Sequence, residues 1–147
     1  MKIRITYFAL FLITTALAGQ HEKGSIGSTA SKQNHPGIPS GFPCQMEELT
    51  SPQFPEAVEL AGGVCVIPMG IIEKHSTHLP LGTDLYEARA SVIRAAEKEY
   101  AVVFPPYYVG QIFEAKHQPG TIAYSNDLMW QMLEETCQEL SRNGLKK

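Results

Sequence analysis

Several features that define other protein classes are scarce or missing in this sequence. Its 147 residues include only 3 cysteines, a low and odd number that excludes a small domain held together by disulfides. It has no block of lysine and arginine and a net charge of -3, so it lacks the basic patch of a nucleic-acid-binding protein. Apolar residues make up 44% and charged residues 18%, a composition that excludes a coiled coil and an intrinsically disordered chain.

No apolar run reaches the ~20 residues that a membrane-spanning helix needs. The apolar stretch at residues 5–13 is short, follows Lys2 and Arg4, and precedes an A-x-A sequence that ends at Ala18. This order predicts a signal peptide, residues 1–18, cut after Ala18. We therefore expect a periplasmic or secreted protein without a stable membrane anchor; an uncleaved N-terminal anchor is the alternative.

The next segment, residues 19–45, is rich in glycine, proline and serine and has few large apolar side chains. Such a segment buries too little surface to offset the entropy lost on ordering. We predict a flexible linker here, followed by a globular part at residues 46–147.

The globular part alternates between extended and helical patterns. The apolar run at 63–69, and the run at 101–104 that Pro105 ends, predict buried strands. Strands alternating with helices are typical of an α/β fold with a parallel sheet, in which ligands bind beyond the carboxyl ends of the strands. The spacing of apolar residues adds helices and one short strand, which we predict at 51–60, 84–100 and 125–143 (helices) and 121–124 (strand).

The chemistry is concentrated in residues 73–84, which read EKHSTHLPLGTD and follow the first predicted strand. Glu73 and His75 are two residues apart, so in an extended backbone both side chains point to one side. Asp84 returns to the same region after a Leu-Pro-Leu-Gly turn. Carboxylate and imidazole ligands together suit zinc or manganese, and a carboxylate can bridge two ions that lie ~3.5–4 Å apart.

Spacing alone leaves other roles open for each of these residues. Asp84 could cap the following helix, with Glu87 completing a capping box. Glu73 could be a surface carboxylate in a loop. His75 and His78 could be loop histidines that bond to backbone carbonyls.

The motif E-x-H-x-x-H-L-P-L-G-T-D resembles the metal-binding signature of the creatininase family. Residues 110–121, GQIFEAKHQPGT, are similar to a second segment of that family, and residues 47–50, EELT, resemble its usual opening. The resemblance covers residues 46–147. It implies a layered α/β domain with a parallel sheet, a homo-oligomeric full-length enzyme, and hydrolysis of a C–N bond in a small amide, cyclic amides included.

The resemblance also implies roles for individual residues. Glu73 would bind one metal ion, His75 the other, and Asp84 would bridge both, with zinc or manganese as the ions. His117 would be a catalytic residue at the edge of the substrate pocket. His78 would not bind a metal ion itself but would orient one of the metal ligands. A metal-activated water would attack the amide carbonyl, and the metals would hold the developing oxyanion.

The sequence departs from the family pattern at its end. The family has a further strand after the last helix, which leads to a segment resembling N-G-H-G-G-N with a further histidine ligand, whereas this sequence stops at Lys147. We therefore expect a fragment: a creatininase-like domain truncated after its first few β/α units, with part of the metal site. The alternative is a non-catalytic truncated chain that keeps the front half of the fold and binds metal weakly or not at all, so the sequence leaves open whether the chain is an enzyme.

Overall fold

The structure, a computed structural model, describes residues 39–147. The predicted signal peptide, its cleavage site at Ala18 and residues 19–38 of the predicted linker lie outside the described residues. No helix in the described part is long and apolar enough to cross a membrane.

Helices and two short strands alternate along the described chain. After a 3₁₀ turn at Met46–Glu48 come the main elements, which are α1 (Phe54–Leu60), β1 (Cys65–Val66), α2 (Thr83–Ala96), β2 (Val102–Val103) and α3 (Asn126–Arg142). Apart from the strand predicted at 121–124, the predicted order of helices and strands is confirmed.

The two strands pair in parallel, with Cys65 opposite Val102 and Val66 opposite Val103. The predicted α/β fold with a parallel sheet is therefore confirmed. Both strands are shorter than predicted. Proline has no N–H to donate to a ladder, and Pro68 interrupts the first run just as Pro105 ends the second.

Backbone pairing continues on both outer edges of this strand pair. On the free side of β2, Gln45 forms a parallel bridge with Val103. On the free side of β1, the Lys147 N–H donates to the Gly63 carbonyl at 3.0 Å and the Cys65 N–H donates to the Lys147 carbonyl at 3.1 Å. That alternation is the hydrogen-bond pattern of a parallel ladder, so β1 has backbone partners on both sides.

The core lies where α1, β2 and the end of α3 meet. Its buried side chains come from all three elements and from the chain that follows α3, and they are Ala57, Ala61, Tyr100, Val102, Leu140 and Leu145. Gly144 lies directly after α3 at φ 97°, the left-handed conformation that ends many helices. This turn brings Leu145 back onto the core, where its N–H donates to the Leu140 carbonyl at 3.0 Å.

The end of the predicted linker differs from the prediction. Phe42 and Cys44 pack against the core, and the Val103 N–H donates to the Cys44 carbonyl at 2.8 Å. These residues are ordered because they bury apolar surface and complete the free edge of β2, which the Gly/Pro/Ser composition of the segment did not indicate.

The segment at 121–124 forms no strand. Instead, the Ile122 N–H donates to the Ile72 carbonyl and the Tyr124 N–H donates to the Gly110 carbonyl, at 2.9 and 3.2 Å. These bonds fasten the segment to the residues beyond the carboxyl end of β1, where the chemical motif lies.

Candidate metal centre

The chain leaving β1 passes unusually close to the first turn of α2. A Cβ atom on Gly70 would lie 2.2 Å from the backbone nitrogen of Leu85, so no residue larger than glycine fits there without a shift. The Gly70 N–H donates to the Tyr107 carbonyl at 3.1 Å, which continues the pairing of the two strands. This approach brings the start of α2 next to residues 71–75.

The loop between β1 and α2 folds back on itself. The Glu73 N–H donates to the Leu81 carbonyl at 3.0 Å, and the Thr83 hydroxyl donates to the Pro80 carbonyl at 2.7 Å. Ser76 has φ 57°, a left-handed conformation that non-glycine residues adopt rarely and at a cost of on the order of 1–3 kcal/mol. The chain therefore reverses direction directly after His75, and Asp84 returns to it.

Glu73, His75 and Asp84 form one cluster, as the sequence predicted. One potential ligand atom from each residue lies within 4.8 Å of the other two, and all three residues are half-buried. The His75 Nε2 atom is 3.4 Å from Asp84 Oδ1. No other such group of three or more metal-ligating side chains occurs among residues 39–147.

The cluster fits a divalent metal ion. His75 Nε2 is buried and has no hydrogen-bond partner in the described structure, although buried polar atoms nearly always have one. A nitrogen lone pair between two carboxylates is a donor set that suits zinc or manganese. None of the three cysteines belongs to the cluster, so the ligands are nitrogen and oxygen.

The capping interpretation of Asp84 is wrong. The N-cap of α2 is Gly82, and no side chain caps this helix end, so Asp84 lies inside the first turn and the capping box with Glu87 does not form. A carboxylate in the first turn is still favoured by the helix dipole. Asp84 is therefore free to direct its carboxylate at the cluster.

His78 and His117 lie outside the cluster. His78 is exposed in the turn of the loop, and His117 is exposed after the 3₁₀ turn at Phe113–Ala115. The His117 Nε2 atom is 2.8 Å from Gln118 Nε2. Their predicted roles, orienting a ligand for His78 and catalysis for His117, stay predictions.

Sequence reasoning missed a contact between the two motif segments. The Lys74 ammonium donates to the Gln118 side-chain oxygen at 2.9 Å, across 44 residues of sequence. No pattern in the sequence could reveal this pair, because it depends on how the loop after β1 and the loop before α3 pack together.

Known proteins resemble this chain in sequence and in fold. The family model described as Creatininase: Creatinine amidohydrolase matches residues 47–147. A creatinine amidohydrolase from Pseudomonas putida is 27% identical over 105 residues, which are 68% of this chain and 40% of that protein. The chain thus spans about two fifths of the length of this relative.

Solved structures agree with the sequence comparison. One described as Creatininase Mn superposes with a TM-score of 0.64 at 25% identity. A creatininase mutant of the Zn–Zn type superposes with a TM-score of 0.63 at 27% identity. Each match covers 69% of this chain and 41% of the other chain. On the evidence of its sequence and its fold, this chain belongs to the creatininase family.

Proposed function

We propose that the protein is a metal-dependent amidohydrolase that cleaves a C–N bond in a small amide, cyclic amides included. The observation that carries the proposal is the half-buried cluster of Glu73, His75 and Asp84, with its unpartnered imidazole nitrogen. The substrate class is taken from the printed name of the relative, creatinine amidohydrolase. Because the chain spans 40% of that relative, its activity and substrate are both proposals.

The cluster would hold the metal through the Glu73 carboxylate, the His75 Nε2 atom and the Asp84 carboxylate. A bound divalent ion supplies Lewis-acid activation of water and of the amide carbonyl. The protein side chains contribute fixed positions. The hydrogen bond from Glu73 N–H to Leu81 O fixes the backbone of Glu73, and the first turn of α2 fixes the backbone of Asp84.

We propose that the site would hold two ions: Glu73 and His75 would each bind one, and Asp84 would bind both. A solved relative of the Zn–Zn type supports this number, and the position of Asp84 within 4.8 Å of both other ligands supports the bridge. We also propose that the full-length enzyme is a homo-oligomer, as the family resemblance implies.

The test of the proposed activity is hydrolysis of creatinine and of other small lactams by the full-length protein, followed by chromatography. We expect turnover with added Zn²⁺ or Mn²⁺ and none after treatment with a chelator. Asp84→Asn should abolish this turnover, and Glu87→Gln, at an exposed carboxylate of the same helix outside the cluster, is the matched control. Metal binding without turnover on any lactam would support the alternative, a non-catalytic chain, and would contradict the proposed activity.

We also propose that the protein is exported. The support is the order of cations, short apolar run and A-x-A sequence in residues 1–18. The intact mass of protein recovered from an expressing cell should match a chain that begins at Gly19. A mass that still includes residues 1–18 would contradict export by cleavage.

A further inference from the structure

A row of three side chains connects the two motif segments. The Lys74 ammonium donates to Gln118 Oε1 at 2.9 Å, and Gln118 Nε2 lies 2.8 Å from His117 Nε2. Lys74 lies between the metal-ligand candidates Glu73 and His75 in sequence. In an extended backbone its side chain points away from theirs, so it is available for a contact outside the cluster.

The chemistry of the three groups fixes the direction of both hydrogen bonds. An ammonium group can only donate, so the Gln118 atom that faces Lys74 is the amide oxygen. The amide NH₂ then faces His117, and because that group also only donates, His117 Nε2 must accept. A ring nitrogen that accepts carries no proton. In neutral His117 the proton is therefore on Nδ1.

Backbone contacts hold the two ends of this row in place. The Ile122 N–H donates to the Ile72 carbonyl at 2.9 Å, two residues before Lys74. A Cβ atom on Gly120 would lie 2.5 Å from Leu81 Cδ1, so the turn after Gln118 packs directly against the metal-site loop. Lys74 and Gln118 are thus brought together by the packing of their loops.

We propose that Lys74 and Gln118 are positioning residues that hold His117 in the Nδ1–H tautomer. Lys74 orients the Gln118 amide, and the amide NH₂ donates a hydrogen bond to His117 Nε2. The His117 Nδ1–H is then left as the hydrogen-bond donor. His117 then acts toward a substrate as a neutral donor, suited to a carbonyl oxygen or its developing negative charge. This last step rests on the proposed function, whereas the tautomer itself does not.

The test is ¹⁵N NMR of the full chain labelled at histidine. The spectra are recorded at a pH about two units above the ordinary histidine pKa of ~6.5. The His117 signals are assigned by their loss in His117→Gln. In the unchanged protein we expect a pyridine-type shift at Nε2 and a pyrrole-type shift at Nδ1. The measurement needs neither metal nor substrate, so its failure is distinguishable from failure of the proposed activity.

Two variants and a control test the row itself. Gln118→Glu keeps an acceptor for Lys74 but removes the donor to His117, so the two nitrogen shifts should exchange as Nε2–H donates to the carboxylate. Lys74→Met should release the amide and move both shifts toward a mixture of tautomers. Lys116→Met is the matched control, because the Lys116 ammonium lies 5.7 Å from the centre of the Phe113 ring, and it should leave both shifts unchanged.

Two outcomes would overturn the proposal. One is an Nε2–H tautomer in the unchanged protein. The other is a Gln118→Glu variant in which the tautomer does not reverse while far-UV circular dichroism shows the native helix content.

Discussion

At the scale of single residues, the metal site depends on a turn that returns one helix residue to the strand exit. Glu73 and His75 are neighbours on one side of an extended segment, a pairing that sequence spacing alone predicts. Asp84 is nine residues beyond His75, and it reaches the cluster because Ser76 adopts φ 57° and Pro80 accepts the Thr83 hydroxyl. The three members of the cluster could therefore be predicted from the motif, but the chain reversal that brings them together could not.

Replacing a single ligand should weaken metal binding strongly. We expect Asp84→Asn and His75→Ala each to lower zinc affinity by about 100-fold or more, since loss of an outer partner of a ligand already costs 10–100-fold. Isothermal titration of the full chain with Zn²⁺ measures the change. Glu87→Gln, an exposed carboxylate of α2 outside the cluster, should leave the zinc affinity unchanged. Equal affinity in all variants would show that the metal binds elsewhere.

One half-buried and one buried ionisable group, Cys65 and Tyr100, should make the protein sensitive to alkaline pH. Burial raises the pKa of the Cys65 thiol from 9.0 to about 11 and the pKa of the Tyr100 hydroxyl from 10.0 to about 12. Because both folded-state values lie above the unfolded ones, the neutral forms stabilise the fold, and this stability is lost as the pH rises through these ranges.

The free energy of unfolding should therefore fall between about pH 9 and 12. Urea midpoints measured across this range test the prediction. Cys65→Ala should flatten the part between 9.0 and about 11, and Tyr100→Phe the part between 10.0 and about 12. Profiles that keep the same slope in both variants would contradict the assignment.

At the scale of the elements, the contact between Gly70 and the first turn of α2 determines where Asp84 lies. Gly70→Ala would place a methyl group 2.2 Å from the Leu85 nitrogen, and such overpacking costs about 1–3 kcal/mol. We expect a lower melting temperature and, because α2 must shift with Asp84, weaker zinc binding.

Gly82→Ala provides the control for this substitution in the same region. A Cβ atom there would approach its nearest neighbour, the Tyr86 ring, no closer than 3.5 Å. Loss of a favourable N-cap residue should cost no more than about 1 kcal/mol, with zinc affinity kept. A Gly70→Ala protein that matches this control in both measurements would rule out the close approach.

Arg89 joins α2 to two other parts of the fold. Its guanidinium donates to the Phe104 carbonyl at 3.1 Å and to Gln45 Oε1 at 2.7 Å, and it pairs with Glu47. Helical periodicity places Arg89 on the polar side of α2, yet only 15% of its side chain is exposed. Periodicity could not reveal this, because the partners come from the segment before α1 and from the end of β2.

We expect Arg89→Met to lower the free energy of unfolding by about 1–3 kcal/mol, because it leaves charge-assisted hydrogen bonds unmade around a half-buried position. Arg94→Met, on the exposed side of the same helix, should change stability by no more than about 0.5 kcal/mol. Urea denaturation compares the two. Equal losses in the two variants would show that the Arg89 contacts make no net contribution to the free energy of unfolding.

Local signals decided how well each element could be predicted. For α3, the prediction of 125–143 is within one residue of the observed Asn126–Arg142 at each end, because Ser125 caps its start and Gly144 turns the chain after it. For α2, the prediction extended to residue 100, but the helix ends at Ala96. There Tyr100 turns inward, and its hydroxyl donates to the Pro43 carbonyl at 2.8 Å, a contact that no local pattern encodes.

The spacing of Leu128, Met132 and Leu140 predicts one apolar side for α3, and this side is only partly buried. Leu140 is buried in the core, whereas Leu128 and Met132 are each 39% exposed. Helical spacing identifies the face of a helix but not how much of that face another element covers. This limit applies to any amphipathic helix at the border of a core.

At the scale of the whole molecule, the parallel sheet positions the chemistry. Gln45, β2, β1 and Lys147 follow one another across the sheet through backbone pairing. The cluster lies just beyond the carboxyl end of β1, the end at which parallel sheets place their ligand sites. The location of the cluster thus follows a general rule of α/β folds.

The central claim is that Glu73, His75 and Asp84 together form a site for divalent metal ions. Anomalous diffraction at the zinc edge, from crystals of the full-length protein grown with Zn²⁺, tests it most directly. The account predicts anomalous density at this cluster, with one peak on the Glu73 side of the Asp84 carboxylate and one on its His75 side. A peak elsewhere in the molecule, or none at saturating Zn²⁺, would contradict it.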